Sequence, residues 1–262
     1  MKFLVCVKQV VDTSRMEVDP ETGRLKRNEA NSILNPMDRN ALEAALSLRE
    51  QTGGTVAVLT MGPPQAEAVL REAAGMGADA LYLATDRAFG GADTLATSYT
   101  LAEVIRKIGP FDLIFCGQES IDSNTAQIGP EIASTLGIAD VSGALEISLD
   151  GDALIVKREM MGGADIVELS LPAVVTATST LNHPRYESIK GILEKDEREI
   201  HKITAADLHA DPERIGVKGS PTQVSRVRPV VPPKKENLVI SDCPEEEAAS
   251  RLLEELKKLN VI

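Results

Sequence analysis

Apolar residues in the first half of the chain fall into two patterns that alternate. Short continuous runs at residues 3–10, 55–61, 81–84 and 112–116 read as strands buried on both faces. Between them lie stripes at helical spacing: Ala41, Leu42, Ala45, Leu46 and Leu48, then Ala66, Val69, Leu70, Ala73 and Ala74, then a stretch ending near Ile108. Asn35 stands at the N-cap of the first of these helices, with Pro36 at its first helical position. Residues 12–31 are polar, with hairpin chemistry at Asp19-Pro20-Glu21-Thr22-Gly23.

Strands and helices alternating in this way imply right-handed βαβ crossovers. The expected fold class is α/β, a mainly parallel, doubly wound sheet of the adenine-nucleotide-binding type. Loops at the carboxyl ends of such strands line the ligand crevice. Four stretches should therefore converge, beginning at Gln9, Gly62, Thr85 and Gly117.

The period changes near Ala144. Alternating residues over 144–149, 153–159 and 166–171, with turns at Asp150-Gly151-Asp152 and Met161-Gly162-Gly163, predict an antiparallel meander across 144–171. A buried strand at 172–177 follows, then a Pro-kinked loop through Leu181, Pro184 and Tyr186 and a charged segment around 189–200. Residues 211–235 are proline-rich and aperiodic, which reads as an extended arm. A capped helix from Asp242 to Leu259 ends the chain, with Ala248, Leu252, Leu253, Leu256 and Leu259 on one stripe. The expected organisation is a nucleotide-binding α/β domain over 1–210, and over 211–262 an arm and helix that contact either the sheet or a partner.

A net charge of −12 opposes binding to nucleic acid or to an anionic membrane surface. No window has the length and apolarity of a membrane span, so no direct membrane insertion and a cytoplasmic location are expected. Cys6, Cys116 and Cys243 have no metal spacing, and His183, His201 and His209 are scattered, so no metal site is expected. No catalytic constellation stands out either. That favours a carrier whose bound cofactor does the chemistry, with an adenine-nucleotide-sensing module as the alternative of another class.

The strongest candidate site follows the run at 112–116. Gly117, Gln118, Asp122, Asn124, Thr125, Ala126 and Gln127 form a polar strand-to-helix junction, where free backbone N–H groups and a helix dipole suit a phosphate. Neither a Walker spacing nor Gly-x-Gly-x-x-Gly is present.

Several stretches together, in this order and spacing, resemble the β subunit of electron transfer flavoproteins over nearly the whole chain: Cys6-Val7-Lys8-Gln9-Val10, Asn35-Pro36-Met37-Asp38, Met61-Gly62-Pro63, Gly75-Met76-Gly77-Ala78-Asp79, Gly117-Gln118-Glu119-Ser120-Ile121-Asp122 and Leu171-Pro172-Ala173-Val174-Val175-Thr176. The resemblance implies a heterodimer with a flavin-bearing α subunit and an adenine nucleotide at the convergent loops. Cys6 and Val7 would offer backbone groups to the adenine edge, Asn35 and Asp38 would lie against the nucleoside and Met61 at its flank, with the residues of the 117–127 loop around the phosphates; Lys8 is counted among the cofactor-binding residues. Gly90, Gly91, Ala92, Asp93, Thr94 and Thr97 resemble the electron-bifurcating group, which implies FAD where other members hold AMP. In that group NADH is the electron donor, and the acceptors are an acyl-CoA dehydrogenase and ferredoxin or flavodoxin. Leu181, Pro184 and Tyr186 match the segment that recognises the dehydrogenase, with Leu181 as its apolar anchor, whereas Met160-Met161 departs from the acidic family signature at that point.

Overall fold

β-branched and aromatic side chains pack well on a pleated surface buried from both sides, and the apolar runs form strands for that reason. The computed structural model describes residues 1–12, 17–18, 25–26, 32–151, 153–223, 237–241 and 243–261. In chain order the elements are β1 (Lys2–Cys6), β2 (Gln9–Val11), β3 (Glu17–Val18), β4 (Leu25–Lys26), β5 (Ser32–Leu34), α1 (Pro36–Thr52), β6 (Thr55–Met61), α2 (Glu67–Met76), β7 (Ala80–Ala84), α3 (Thr94–Ile108), β8 (Leu113–Gly117), α4 (Ile128–Leu136), β9 (Ala139–Asp150), β10 (Ala153–Met160), β11 (Gly163–Ser170), β12 (Ala173–Ala177), α5 (Ile189–Glu194), β13 (Ile200–Ile203) and α6 (Glu245–Lys258).

A nine-stranded sheet runs in the order β11-β10-β9-β12-β8-β1-β6-β7-β13. All its pairings are parallel except β9–β10 and β10–β11, which form the expected meander. From β1 the chain winds outward through β6 and β7, then crosses back to place β8 on the other side of β1. The topological switch point therefore lies between β1 and β8, where Cys6 and Cys116 are register partners.

Alternate residues of each strand feed two cores. Phe3, Val5, Val58 and Phe115 pack with Leu42, Leu46 and Leu70 of α1 and α2. Leu4, Leu59, Ile114 and Val174 pack with Val104, Ile105 and Ile132 of α3 and α4. Every residue of the two helical stripes predicted from spacing at 41–48 and 66–74 is buried.

Several boundaries differ from the sequence expectation. The apolar run 3–10 is not one strand: the chain leaves the sheet after Cys6, and Gln9–Val11 pairs with β5 in a separate two-stranded sheet. β9 begins at Ala139 because its first half runs parallel to β12 while its second half is antiparallel to β10. The charged segment after Tyr186 contains α5 and then β13, which extends the sheet beyond β7. The turn at 19–23 lies outside the described residues.

Residues Met1–Gln223 form one compact unit and Val224–Ile262 another. Residues 211–222, which read as the start of the arm, belong to the first and fold against the N-terminal end of α3. In the second unit, α6 has Pro244 at its N-cap position without a side-chain cap, and Leu252, Leu253 and Leu259 are exposed. No described helix is long and apolar enough to cross a membrane.

Candidate functional site

The switch-point crevice is fixed by the first turn of α1. Asp38 is buried, and its carboxylate accepts hydrogen bonds from the backbone N–H of Lys8 at 2.7 Å and of Gly117 at 3.0 Å. One side chain thus holds the carboxyl ends of β1 and β8 apart at a set distance. Burial pushes the Asp38 carboxyl from 3.8 up to about 7, against the downward pull of Asn35, the two N–H donors and the Lys8 charge. Gly117 permits this contact, since a Cβ there would lie 2.3 Å from Asp38 Oδ1 and 2.8 Å from its backbone nitrogen.

Asn35 occupies the N-cap position of α1, but its side chain makes no cap. It reaches across instead, donating to the Glu119 carbonyl at 2.9 Å and accepting from the Ile121 N–H at 3.2 Å. Asn35 is completely buried, so these two bonds brace the start of the 117–127 loop from beneath. From above, Lys8 Nζ meets Asp122 Oδ1 at 2.7 Å. Burial raises the Asp122 carboxyl, but hydrogen bonds from Lys8 and Ser120 hold it below its ordinary value. The pair is partly exposed and solvent-screened, so it orients the loop more than it stabilises the fold.

Beyond Asp122 the loop adopts conformations that side chains normally avoid. Asn124 and Ala126 have φ of 50° and 54°. Left-handed residues are a building element of anion nests; here the Asn124 N–H closes the loop on the Ser120 carbonyl at 2.8 Å, and the nest would be formed by the N–H groups that follow it. The nest ends at α4, whose free N–H groups and dipole add to it. Gly129 lets that helix approach, because a Cβ there would meet the Thr176 methyl at 2.3 Å.

The opposite wall is the N-terminal end of α3. Asp93 is its N-cap, with Oδ1 accepting from Ala96 N–H at 3.1 Å, while Oδ2 takes the backbone and hydroxyl of Thr222 at 3.0 and 2.7 Å. The Ser220 hydroxyl accepts from the Asp93 N–H, the Tyr99 hydroxyl accepts from the Asp211 N–H, and Arg214 lies 3.9 Å over the Tyr99 ring. Burial raises the Asp93 carboxyl, but its hydrogen bonds bring it below the ordinary value. From the first turn, the Thr94 hydroxyl donates to Gln127 Oε1 and Glu131 Oε1, each at 3.2 Å.

The four predicted loops do converge. Gln9 Nε2 donates to the Gln65 carbonyl after β6, Gly62 N–H to Ala84 at the end of β7, Lys8 to Asp122 after β8, and Thr94 to Gln127. Cys6 and Val7 are buried at the β1 end, and Met61 is partly buried at the end of β6. Gly90, Gly91 and Ala92 precede Asp93, and Gly91, at φ 71°, lies beneath Val217. Asn124, Thr125 and Ala126 are exposed along the nest.

Three predicted residues hold other places. Asp38 has both carboxylate oxygens occupied by backbone N–H groups, so it positions the loops rather than offering a free acceptor. Gln118 lines a cavity of about 340 Å³ on the meander side, with Gly143, Arg158 and Met160. Leu181 packs partly buried against the α1-side core, because Arg185 binds Glu43 and Glu50 and draws the loop onto α1. Tyr186 is 92% exposed and Ile189 82%, so they supply the free apolar surface of this segment, beside a partly buried Pro184. The sequence reading gave Glu131 no role. Its one signal was an acidic residue four positions after Gln127, inside the first turn of an apolar helix.

Comparison with known proteins bears on the whole chain. A model of the electron transfer flavoprotein domain matches residues 22–208. An electron transfer flavoprotein subunit beta of Thermoanaerobacterium thermosaccharolyticum is 49% identical over 225 residues, covering 86% of each chain. A protein of the same name from Clostridium acetobutylicum is 45% identical over 264 residues, and the caffeyl-CoA reductase-Etf complex subunit CarD of Acetobacterium woodii is 44% identical over 264, both across the full length of each chain.

Proposed function

We propose that this chain, which belongs to the electron transfer flavoprotein family as a β subunit, binds FAD in the β1/β8 crevice and, with its α subunit, bifurcates electrons from NADH. One electron would pass through the α-subunit flavin to an acyl-CoA dehydrogenase, and the other to a low-potential acceptor such as ferredoxin or flavodoxin. The relative named as part of a caffeyl-CoA reductase complex supports a reductase or dehydrogenase of CoA thioesters as one partner.

The observation that carries the reading is the contact between Thr94 and Gln127. It brings the phosphate loop and the hydroxyl-bearing first turn of α3 into direct contact, so a ligand held by the one lies beside the other. AMP would use the adenine side of the crevice and the nest; a ligand that also uses the α3 wall extends beyond its phosphates. The residues fit such a dinucleotide. Backbone N–H groups at 125–127 suit the pyrophosphate, Lys8 adds a cation beside them, and Thr94 offers a hydroxyl on the far side.

When bound, the flavin supplies the redox chemistry, which no constellation of side chains in this crevice provides. The chain's own part is to hold and orient. Asp38 and Asn35 fix the nest, Asp93 fixes α3 under the segment 211–222, and the buried β1 and β8 ends exclude water from the adenine side. Docking of a dehydrogenase would use the exposed Tyr186 and Ile189 beside the loop that Arg185 anchors.

Replacing Thr94 and Thr97 together with valine is expected to weaken flavin at this site about tenfold, the scale of lost hydrogen bonds to a bound group, while α-subunit flavin is unchanged. Flavin release from the purified αβ heterodimer, followed by fluorescence, reads this. Equal loss from both sites would contradict the assignment of these hydroxyls.

A further inference from the structure

Residues 182–188 have no regular secondary structure, yet the fold pins them at every third position. Asn182 meets Asn40 of α1, whose Nδ2 donates to the Asn182 carbonyl at 2.9 Å and to its Oδ1 at 3.1 Å, while Asn182 Nδ2 donates back to the Asn40 carbonyl at 2.9 Å. Arg185 meets Glu43 of the same helix. Oε2 of Glu43 accepts from the Arg185 backbone N–H at 3.0 Å and from Nε at 2.8 Å, and Oε1 accepts from Nη2 and from the Ser47 hydroxyl, each at 2.9 Å. Ser188 donates its N–H to the Gly75 carbonyl of α2 at 3.1 Å, and its hydroxyl accepts from Gly191 N–H at 2.9 Å to cap α5.

Asn40 and Glu43 are buried polar side chains, and they bond to 182–185 and Ser47, whereas Asn35 and Asp38 of the first turn bond to the nucleotide loops. Burial raises the Glu43 carboxyl, but hydrogen bonds from Arg185 hold it below its ordinary value, so the pair is a charge-assisted fork. Tyr186 lies between the pins at 185 and 188, Ile189 opens α5 directly after them, and both side chains are exposed. A loop already held in one shape loses less conformational freedom when a partner binds it. Resting on the docking role proposed above for Tyr186 and Ile189, we infer that Asn40 and Glu43 are positioning residues for the acyl-CoA dehydrogenase: they hold 182–188 in the shape that presents Tyr186 and Ile189.

The test uses the αβ heterodimer as electron acceptor for a butyryl-CoA dehydrogenase reduced with butyryl-CoA, with initial rates measured against heterodimer concentration and with flavin content and melting temperature recorded for each variant. Asn40→Ala is expected to raise KM about tenfold, the scale of freeing one or two ordered side chains, with kcat and flavin content unchanged. Asn182→Ala removes the same contact from the loop side and should match it, and the double variant should be no worse than either single one, because one interaction is lost in all three. Glu43→Gln keeps one acceptor oxygen for Arg185 and should raise KM about threefold. Tyr186→Ala with Ile189→Ala tests the docking surface itself and should raise KM at least as much as Asn40→Ala. Unchanged KM in Asn40→Ala and Asn182→Ala, or a rise that comes with equal loss of flavin, overturns the inference alone. A wild type that takes no electrons from the dehydrogenase, or one that Tyr186→Ala with Ile189→Ala leaves unaffected, overturns the docking reading and the inference with it.

Discussion

Gly117→Ala is expected to destabilise the protein by about 3 kcal/mol, at the upper end for overpacking in a close-packed interior, and to release the nucleotide. The added Cβ would lie 2.3 Å from Asp38 Oδ1, 2.8 Å from the Asp38 nitrogen and 2.9 Å from the Met37 carbonyl carbon. Two of these atoms belong to backbone, so rotating a side chain cannot relieve the contact. β8 is central and hydrogen-bonded to β1 and β12, so the first turn of α1 must retreat. That movement carries away the carboxylate which receives Gly117 and Lys8, and with it Asn35 and the braced loop. Gly163→Ala is the control, because a Cβ there meets nothing within 4 Å, and its expected cost is near zero. Chemical denaturation of both variants, with bound nucleotide assayed in parallel, separates them. A Gly117→Ala protein as stable as Gly163→Ala would remove the clamp from the explanation of the site.

Asp38→Asn is expected to destabilise most at low pH, the reverse of the usual carboxylate. Asn has the shape of Asp but only one acceptor oxygen, so one of the Lys8 and Gly117 N–H groups faces an NH₂ group, at a cost of roughly 1–3 kcal/mol. On top of this sits a titration. The Asp38 carboxyl is raised from 3.8 to about 7 by burial. The folded state therefore binds the proton more tightly than the unfolded state. Its contribution to stability is fully present below the unfolded value and is lost as pH rises through the folded one. A gap from 3.8 to about 7 corresponds to roughly 4 kcal/mol over the full window. Asparagine has no such titration. The difference between wild type and Asp38→Asn should then shrink steadily from pH 5 to pH 8, measured as unfolding free energy at each pH. A difference that grows over this range would show a carboxylate held ionised, and the clamp would then be a charge-stabilised contact.

The architecture could be read from the chain because each strand and helix carries its own periodicity. Ala41, Leu42, Ala45, Leu46 and Leu48 repeat at helical spacing, and burial of that stripe follows from local geometry alone. The convergence of four loops followed from the parallel topology, and the contacts Gln9 to Gln65 and Lys8 to Asp122 bear it out. What could not be read depends on distant partners. Nothing in the run 3–10 marks Cys6 as the end of a strand; Asp38, 30 residues beyond Lys8, does so by capturing its N–H. Ile200–Ile203 reads Ile-His-Lys-Ile, which lacks the strand period, and pairing with β7 is what makes it a strand. Residues 211–222 read as the start of an extended arm because the contacts of Ser220 and Thr222 with Asp93 have no period. Leu181 was read as the apolar anchor of a recognition loop, and its partial burial could not be foreseen because the ion pairs that draw the loop inward join Arg185 to Glu43 and Glu50 on another element. Asn35 was located correctly in the helix and assigned the ordinary capping role, whereas tertiary structure redirects its side chain to the 119–121 backbone.

Counting flavins in the purified αβ heterodimer tests the central claim most directly. Two FAD per heterodimer and no stoichiometric AMP are expected, with one flavin lost on Thr94→Val, Thr97→Val substitution. One flavin together with one AMP would contradict FAD in the β1/β8 crevice.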